Sequence, residues 1–161
     1  MARKTIQHMD LEALSEVNKE VVLLTREEHG YSTADGRKLR NLLKEVELRA
    51  GNEDFEQAVA EKAALLVYDI ARGQYFHAGN KRTALVAGLA FLAKNGENID
   101  IMDPALVETV DKAGIAAADL DDLLTVMSGL LKKTKPSRKG WDNLVKGLIE
   151  SNRDFLTKLA S

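Results

Sequence analysis

The sequence lacks cysteine altogether and contains only two prolines in 161 residues. Without cysteine, disulfide bonds and thiolate metal sites are excluded. No apolar run approaches the ~18 residues of a membrane span, and residues 1–5 lead into a polar amphipathic stretch instead of the apolar core of a signal peptide. The formal net charge of −2 gives no support for binding to nucleic acid or to a membrane surface. We therefore expect a cytoplasmic protein.

Helical periodicity dominates the sequence that remains. Apolar residues recur at helical spacing between Leu11 and Leu24, and Gly30 is expected to end that first helix. Ser32 and Asp35 form a capping-box-like start of a second helix, and a third helix is expected to begin near Asp54. Asp103 is the predicted N-cap of a later helix with a proline in its first turn. Gly51 and Asn52 interrupt the pattern. The strand-like piece at residues 98–102 is too short to found a sheet, so the predicted class is all-α.

One predicted helix, at about residues 83–94, differs from the others. Between Ala84 and Ala93 every residue is apolar or glycine. A helix that is apolar on all sides must be surrounded by other elements, and about ten such residues are too few to cross a membrane. Asn95 and Gly96 supply a stop signal. We therefore expect a helical bundle around this central helix, with an extra helix at the C-terminus.

The predicted organisation has three parts. Residues 1–131 form the helical domain, and residues 132–140 form a basic linker. Residues 141–160 form an appended amphipathic helix. That helix must bury its apolar stripe, either on its own domain or against a second copy of the chain in a homodimer. The basic stretch lacks interleaved aromatic residues, so a solvated linker is favoured over a nucleic-acid contact.

The loop before the central helix carries the chemistry that the sequence suggests. Gly79, Asn80, Lys81 and Arg82 stand at a helix N-terminus, where unpaired backbone N–H groups and the helix dipole favour anions. Lysine adds a point charge, and arginine adds a planar fork that can grip phosphate. From these four residues alone, solvated cations at a helix end are the simpler interpretation. Phe76 as a buried anchor and the helix end at Gly73 favour a phosphate-binding loop instead.

Residues 71–85, followed by Phe91-Leu92 and Asn95-Gly96, resemble the Fic/Doc family, whose pattern is His-x-Phe-x-Asp/Glu-Gly/Ala-Asn-Gly/Lys-Arg. The stretch is most similar to the Doc (death-on-curing) branch, because it has Asn-Lys-Arg-Thr-Ala. The likeness is strong over the motif and loose over about residues 5–131. It implies a Fic/Doc-like helical fold, with Phe76 as the buried anchor and residues 79–82 as the nest for nucleotide phosphates.

The resemblance also implies a function. Family members transfer AMP, another nucleotidyl group or, in the Doc branch, a phosphoryl group from ATP to a hydroxyl of a target protein, with Mg²⁺ neutralising the phosphates. By resemblance, then, the expected cofactor is ATP or another nucleotide with Mg²⁺. The expected partners are a target protein and, if the chain belongs to a toxin–antitoxin system, an antitoxin.

Two positions depart from the family pattern. Gln74 replaces the histidine that accepts the proton of the attacking hydroxyl, and glutamine cannot accept a proton near neutral pH. Ala78 replaces the carboxylate that positions Mg²⁺, so no metal ligand is expected there. His77 is the weaker candidate for a substitute base, since its side chain should point differently from that of Gln74. His8 and His29 are expected to be solvated on the first helix.

These departures favour a transferase with weak, altered or lost catalysis. The alternative is a non-catalytic module that binds a nucleotide or a partner, and a third hypothesis is a helical scaffold with a relict loop. The family's inhibitory Ser/Thr-x-x-x-Glu-Gly/Asn pattern has no convincing match in this sequence. Only residues 50–54 could serve as a target-docking flap.

Overall fold

The computed structural model describes residues 5–49 and 54–159. Within them lie eight helices and one two-stranded sheet, so the predicted all-α bundle is confirmed. The helices are α1 Leu11–Thr25, α2 Thr33–Leu48, α3 Phe55–Gly73, α4 Asn80–Lys94, α5 Pro104–Gly114, α6 Leu120–Leu130, α7 Trp141–Ser151 and α8 Arg153–Lys158. The strands β1 Glu97–Asn98 and β2 Lys132–Lys133 pair antiparallel.

Short polar side chains begin the helices as the sequence predicts. The side chain of Ser32 accepts a hydrogen bond from the backbone N–H of Asp35, and Asp54 accepts one from Glu56. Asp103 accepts from the N–H groups that follow Pro104. Each bond satisfies a backbone donor that has no partner within its helix, which fixes where the helix starts.

Helix α4 is the centre of the bundle. Its residues from Arg82 to Leu92 are all buried, and it packs against α3, α1 and α7. The side chain of Val67 in α3 packs against Gly88, where an added Cβ would overlap it. The glycine thus allows two helix backbones to lie near each other. The motif loop, which we define as residues 74–82, comprises the connection from α3 to α4 and the first three residues of α4.

The C-terminal region differs from the sequence prediction in two ways. The single helix predicted at residues 141–160 is divided at Asn152 into α7 and α8, and both pack on α1. Apolar residues of both helices enter the common core, namely Leu144, Val145, Ile149 and Leu156. The predicted linker begins with β2, which pairs Lys133 with Glu97 and Lys132 with Asn98. The apolar stripe of residues 141–160 is therefore buried, as far as it is described, against its own chain.

The break at Gly51-Asn52 and most of the candidate docking flap lie outside the described residues. Within residues 5–49 and 54–159, no helix combines the length and the apolar character needed to cross a membrane.

The prediction that His8 is solvated on the first helix is wrong. His8 precedes α1, its ring lies 6.3 Å from that of Phe91, and its Nε2 is buried without a hydrogen-bond partner among the described residues. Burial lowers the pKa of His8 below 6.5, the positive charge of Lys62 lowers it further, and Glu47 opposes the shift. His29 follows α1 in a loop and is exposed.

This burial makes folding stability depend on pH. Because the pKa of His8 is lower in the folded than in the unfolded chain, its contribution is present above about pH 6.5 and is lost as the pH falls below that value. We expect the urea midpoint to drop between pH 7.5 and 5.5, and His8→Gln to reduce that drop. His29→Gln is the control, because the exposed ring should leave the drop unchanged. An equal pH dependence in all three chains would contradict the assignment.

Candidate functional site

Two left-handed backbone conformations shape the motif loop. Gln74 ends α3 with φ +52°, and Gly79 precedes α4 with φ +73°. A Cβ at Gly79 would also lie 2.9 Å from Cγ1 of Val22. Glycine at this position therefore meets both a backbone and a packing requirement.

Gln74 uses its side chain to end α3. Its Nε2 donates a hydrogen bond of 2.7 Å to the backbone carbonyl of Ala71, which lies in the last turn of that helix. Such carbonyls have no partner within the helix, so the bond stabilises the helix end. The residue at the family's proton-acceptor position is therefore a capping residue in this structure.

The next two residues anchor the loop. The hydroxyl of Tyr75 donates to Asp69, and a Cβ at Gly73 would overlap the tyrosine ring. Burial raises the pKa of Tyr75, and Asp69 raises it further, so this hydroxyl cannot act as a base near neutral pH. Phe76 is buried and meets the ring of Tyr31 edge-on at 5.8 Å.

Asn80 closes the loop on itself. Its Oδ1 accepts from the backbone N–H of Phe76, and its Nδ2 donates to the carbonyl of the same residue, both at 3.0 Å. The side chain is 8% exposed. Asn80 thus fixes the turn that delivers Lys81 and Arg82 to the start of α4, in addition to its predicted role in phosphate binding.

Asn18 of α1 ties the loop to the bundle, and the sequence analysis missed it. Its Nδ2 donates to the carbonyl of Ala78 at 3.0 Å and to Oγ1 of Thr83 at 3.2 Å, while its Oδ1 accepts from the N–H of Gly30 at 2.9 Å. The side chain is fully buried. A signal was present, because Asn18 lies at helical spacing between Leu14 and Val21 in the apolar stripe of α1.

The two candidate phosphate-binding cations both have partners within the chain. Lys81 forms an ion pair with Asp111 of α5. Arg82 is only 5% exposed, and its Nε donates at 2.7 Å to the carbonyl of Leu156. Its Nη2 donates to the carbonyl of Leu159, and its Nη1 lies 3.4 Å from Oε1 of Glu27. The C-terminal segment, residues 153–159, therefore lies directly on the motif arginine.

His77 lies on the outside of the loop. Its side chain is exposed, and its backbone N–H donates to the carbonyl of Gly30 at 3.0 Å. The His77 ring therefore has no buried contact that would hold it at position 74, where the family pattern has histidine. Its predicted role as a substitute base has no geometric support.

The donor set at the loop does not fit Mg²⁺. This ion prefers oxygen ligands and usually takes one or two protein carboxylates. Ala78 offers only a methyl group, whereas the nearby carboxylates of Glu27 and Asp111 are paired with Arg82 and Lys81. Among the described residues, no group of three or more His, Asp or Glu could hold a metal ion. No step of a reaction is therefore assigned to a metal held by this chain.

A cavity of about 580 Å³ lies at the opposite end of α4 from the motif loop. Its wall includes Lys94, Asn95 and Phe55, together with residues 133–138 in part. Helix α4 has 15 residues, so this cavity is roughly 20 Å from Arg82. It is therefore not the site that the motif defines.

The helical fold and the loop at the start of α4 define a protein of the kind that the sequence resembled. A family model described as Fic/DOC family matches residues 3–92, which is more than half of the chain. The chain therefore belongs to the Fic/DOC family. Comparisons with curated proteins and with solved structures gave no match.

Proposed function

We propose that this chain is a Doc-like member of the Fic/DOC family that binds a nucleotide through its phosphates and has weak or lost transferase activity. Its ancestral reaction would be the transfer of a phosphoryl or nucleotidyl group from ATP to a protein hydroxyl. A pseudoenzyme of this kind acts through what it binds, for example as part of a toxin–antitoxin system.

The hydrogen bond from Gln74 to the end of α3 is the main support for this proposal. The loop keeps its binding frame, because Asn80 holds the turn and delivers two cations to the helix N-terminus. The group that would accept a proton is missing, and the residue in its place is bonded to Ala71. General-base catalysis typically contributes ~10²–10⁴ in rate, so its loss weakens transfer far more than binding.

ATP binding tests the proposal. We expect the natural chain to bind ATP, and Lys81→Ala to weaken that binding roughly tenfold, because charge-assisted hydrogen bonds to phosphate are stronger than neutral ones. Isothermal titration calorimetry measures both chains. Lys112→Ala is the matched control, because this α5 lysine is exposed and pairs with Glu108, one turn away on the same helix.

Two further outcomes are informative. If ATP does not bind, or if both alanine variants bind it as the natural chain does, the phosphate site is not at the motif loop. If the natural chain transfers label from ATP to proteins in a lysate as fast as an intact family enzyme would, the loss of catalysis is wrong.

A further inference from the structure

The contacts of Arg82 assign a regulatory role to the end of the chain. We propose that the C-terminal segment, residues 153–159, occupies the position of a phosphate at Arg82, so that docking of this segment and phosphate binding exclude each other. The inference rests on the proposed function, because it requires that the motif loop binds phosphate at all.

Each of the three guanidinium nitrogens of Arg82 has a partner within the chain. Two of its nitrogens donate to backbone carbonyls of the segment, and the third faces Glu27. A phosphate binds arginine through the same fork, with two oxygens accepting two N–H groups. Because the side chain is 5% exposed, a phosphate can reach these donors only after the carbonyls of Leu156 and Leu159 have left.

The electrostatics of the contact resemble those of an anion site. The carbonyls come from the last turn of α8 and from the residue that follows it, where carbonyls carry the negative end of the helix dipole and lack partners within the helix. The segment therefore offers Arg82 partial negative charge on two oxygens. A phosphate offers full negative charge in a similar geometry, so it can compete for the same donors.

The segment is built so that it can detach. Helix α8 has six residues and is separated from α7 at Asn152, whose side chain donates back to the carbonyl of Leu148. A helix this short is not stable in water by itself. Its position depends on the burial of Leu156 and Leu159 and on the two bonds to Arg82. The exposed side of the helix, including Thr157, makes no comparable contribution.

Docking of the C-terminal segment and binding of phosphate are then linked reciprocally. If phosphate binds only when the segment is released, docking of the segment lowers the affinity for phosphate, and phosphate lowers the fraction of docked segment by the same factor. The chain becomes a switch in which a phosphate-bearing ligand releases the C-terminal segment and its apolar residues.

A proline substitution on the exposed side of α8 tests this without altering a core side chain. Proline at position 157 clashes with the carbonyl of Arg153 and breaks the helix, so it should remove the acceptors from Arg82. We expect Thr157→Pro to bind ATP at least about tenfold more tightly than the natural chain, in titrations by calorimetry. Thr157→Ala, which keeps the helix, should stay within about twofold. Inorganic triphosphate is titrated in parallel, to separate phosphate recognition from nucleoside recognition.

The outcomes distinguish the two proposals. Equal ATP affinity of the natural chain and Thr157→Pro would overturn the exclusion and leave the phosphate site in place. A gain that persists in the double variant Thr157→Pro/Arg82→Ala would also overturn it, because the ligand would then bind elsewhere. Absence of binding by every chain would overturn the phosphate site and the exclusion together.

Hydrogen exchange provides a readout that needs no ligand. We expect Arg82→Ala to raise the exchange of backbone amides in residues 153–159, and saturating ATP to do the same in the natural chain. Amides of α5 serve as the internal reference. Unchanged protection of the segment in Arg82→Ala would show that this arginine does not hold it.

Discussion

The double substitution Gln74→His/Ala78→Asp is expected to raise transfer from ATP to protein by at least about a hundredfold. It introduces the histidine and the carboxylate that the family pattern has at these two positions, and these groups can accept a proton and bind Mg²⁺. Position 74 has φ +52°, a conformation in which histidine is enriched among non-glycine residues, so the backbone accepts it. The measurement is labelled product per minute in a lysate, with Mg²⁺ and labelled ATP.

Because the C-terminal segment lies on Arg82, the assay is run with and without Thr157→Pro, and the larger gain is expected with it. Gln74→Asn/Ala78→Asp is the matched control, because it restores the carboxylate and keeps a neutral amide. No gain in either background would remove the support for a transferase ancestry. Labelling by the natural chain that survives Gln74→Ala but disappears in His77→Ala would show that His77 is the base.

Asn18→Ala is expected to lower the free energy of unfolding by about 3 kcal/mol, which is a large part of the 5–15 kcal/mol typical of a domain. The substitution removes three hydrogen bonds, one buried and two partly buried, and deprives the carbonyl of Ala78 and the N–H of Gly30 of the Asn18 side chain as a partner. It also frees the motif loop from α1, so ATP binding should weaken with stability. Urea unfolding measures the first effect.

Asn143→Ala is the control for this prediction. Asn143 is an exposed residue of α7, and a surface substitution of this kind usually changes stability by less than 0.5 kcal/mol. A loss of under about 1 kcal/mol in Asn18→Ala would mean that water replaces the three bonds and that Asn18 does not hold the loop.

Much of the fold was predictable because burial leaves a periodic trace. The apolar run from Ala84 to Ala93 marked the central helix, and Ser32, Asp54 and Asp103 marked helix starts through their side-chain chemistry. The division of the C-terminal helix at Asn152 left no such trace, because its apolar spacing continues across the break. Neither glycine nor proline stands at that position.

The sequence pattern named residues of the motif loop but did not predict all of their partners within the chain. The motif named Gln74, Asn80 and Arg82. The first two form local contacts, whereas the partners of Arg82 are distant in sequence and are not encoded by a local pattern. Asn80 bonds a residue four positions away, whereas Arg82 bonds residues more than seventy positions away. His8 was misplaced for a similar reason, because its burial is set by Phe91 across the bundle.

The partners of Arg82 in the C-terminal segment are main-chain oxygens. Side-chain identity at positions 156 and 159 therefore matters only for burial, and substitution among leucine, isoleucine and methionine there would keep both acceptors. Such a contact can persist through evolution while the residues around it change. A sequence pattern built on an inhibitory glutamate does not detect such a contact, because any residue with the same backbone conformation can supply the same oxygen. A main-chain contact with Arg82 of this kind is thus visible only in three dimensions.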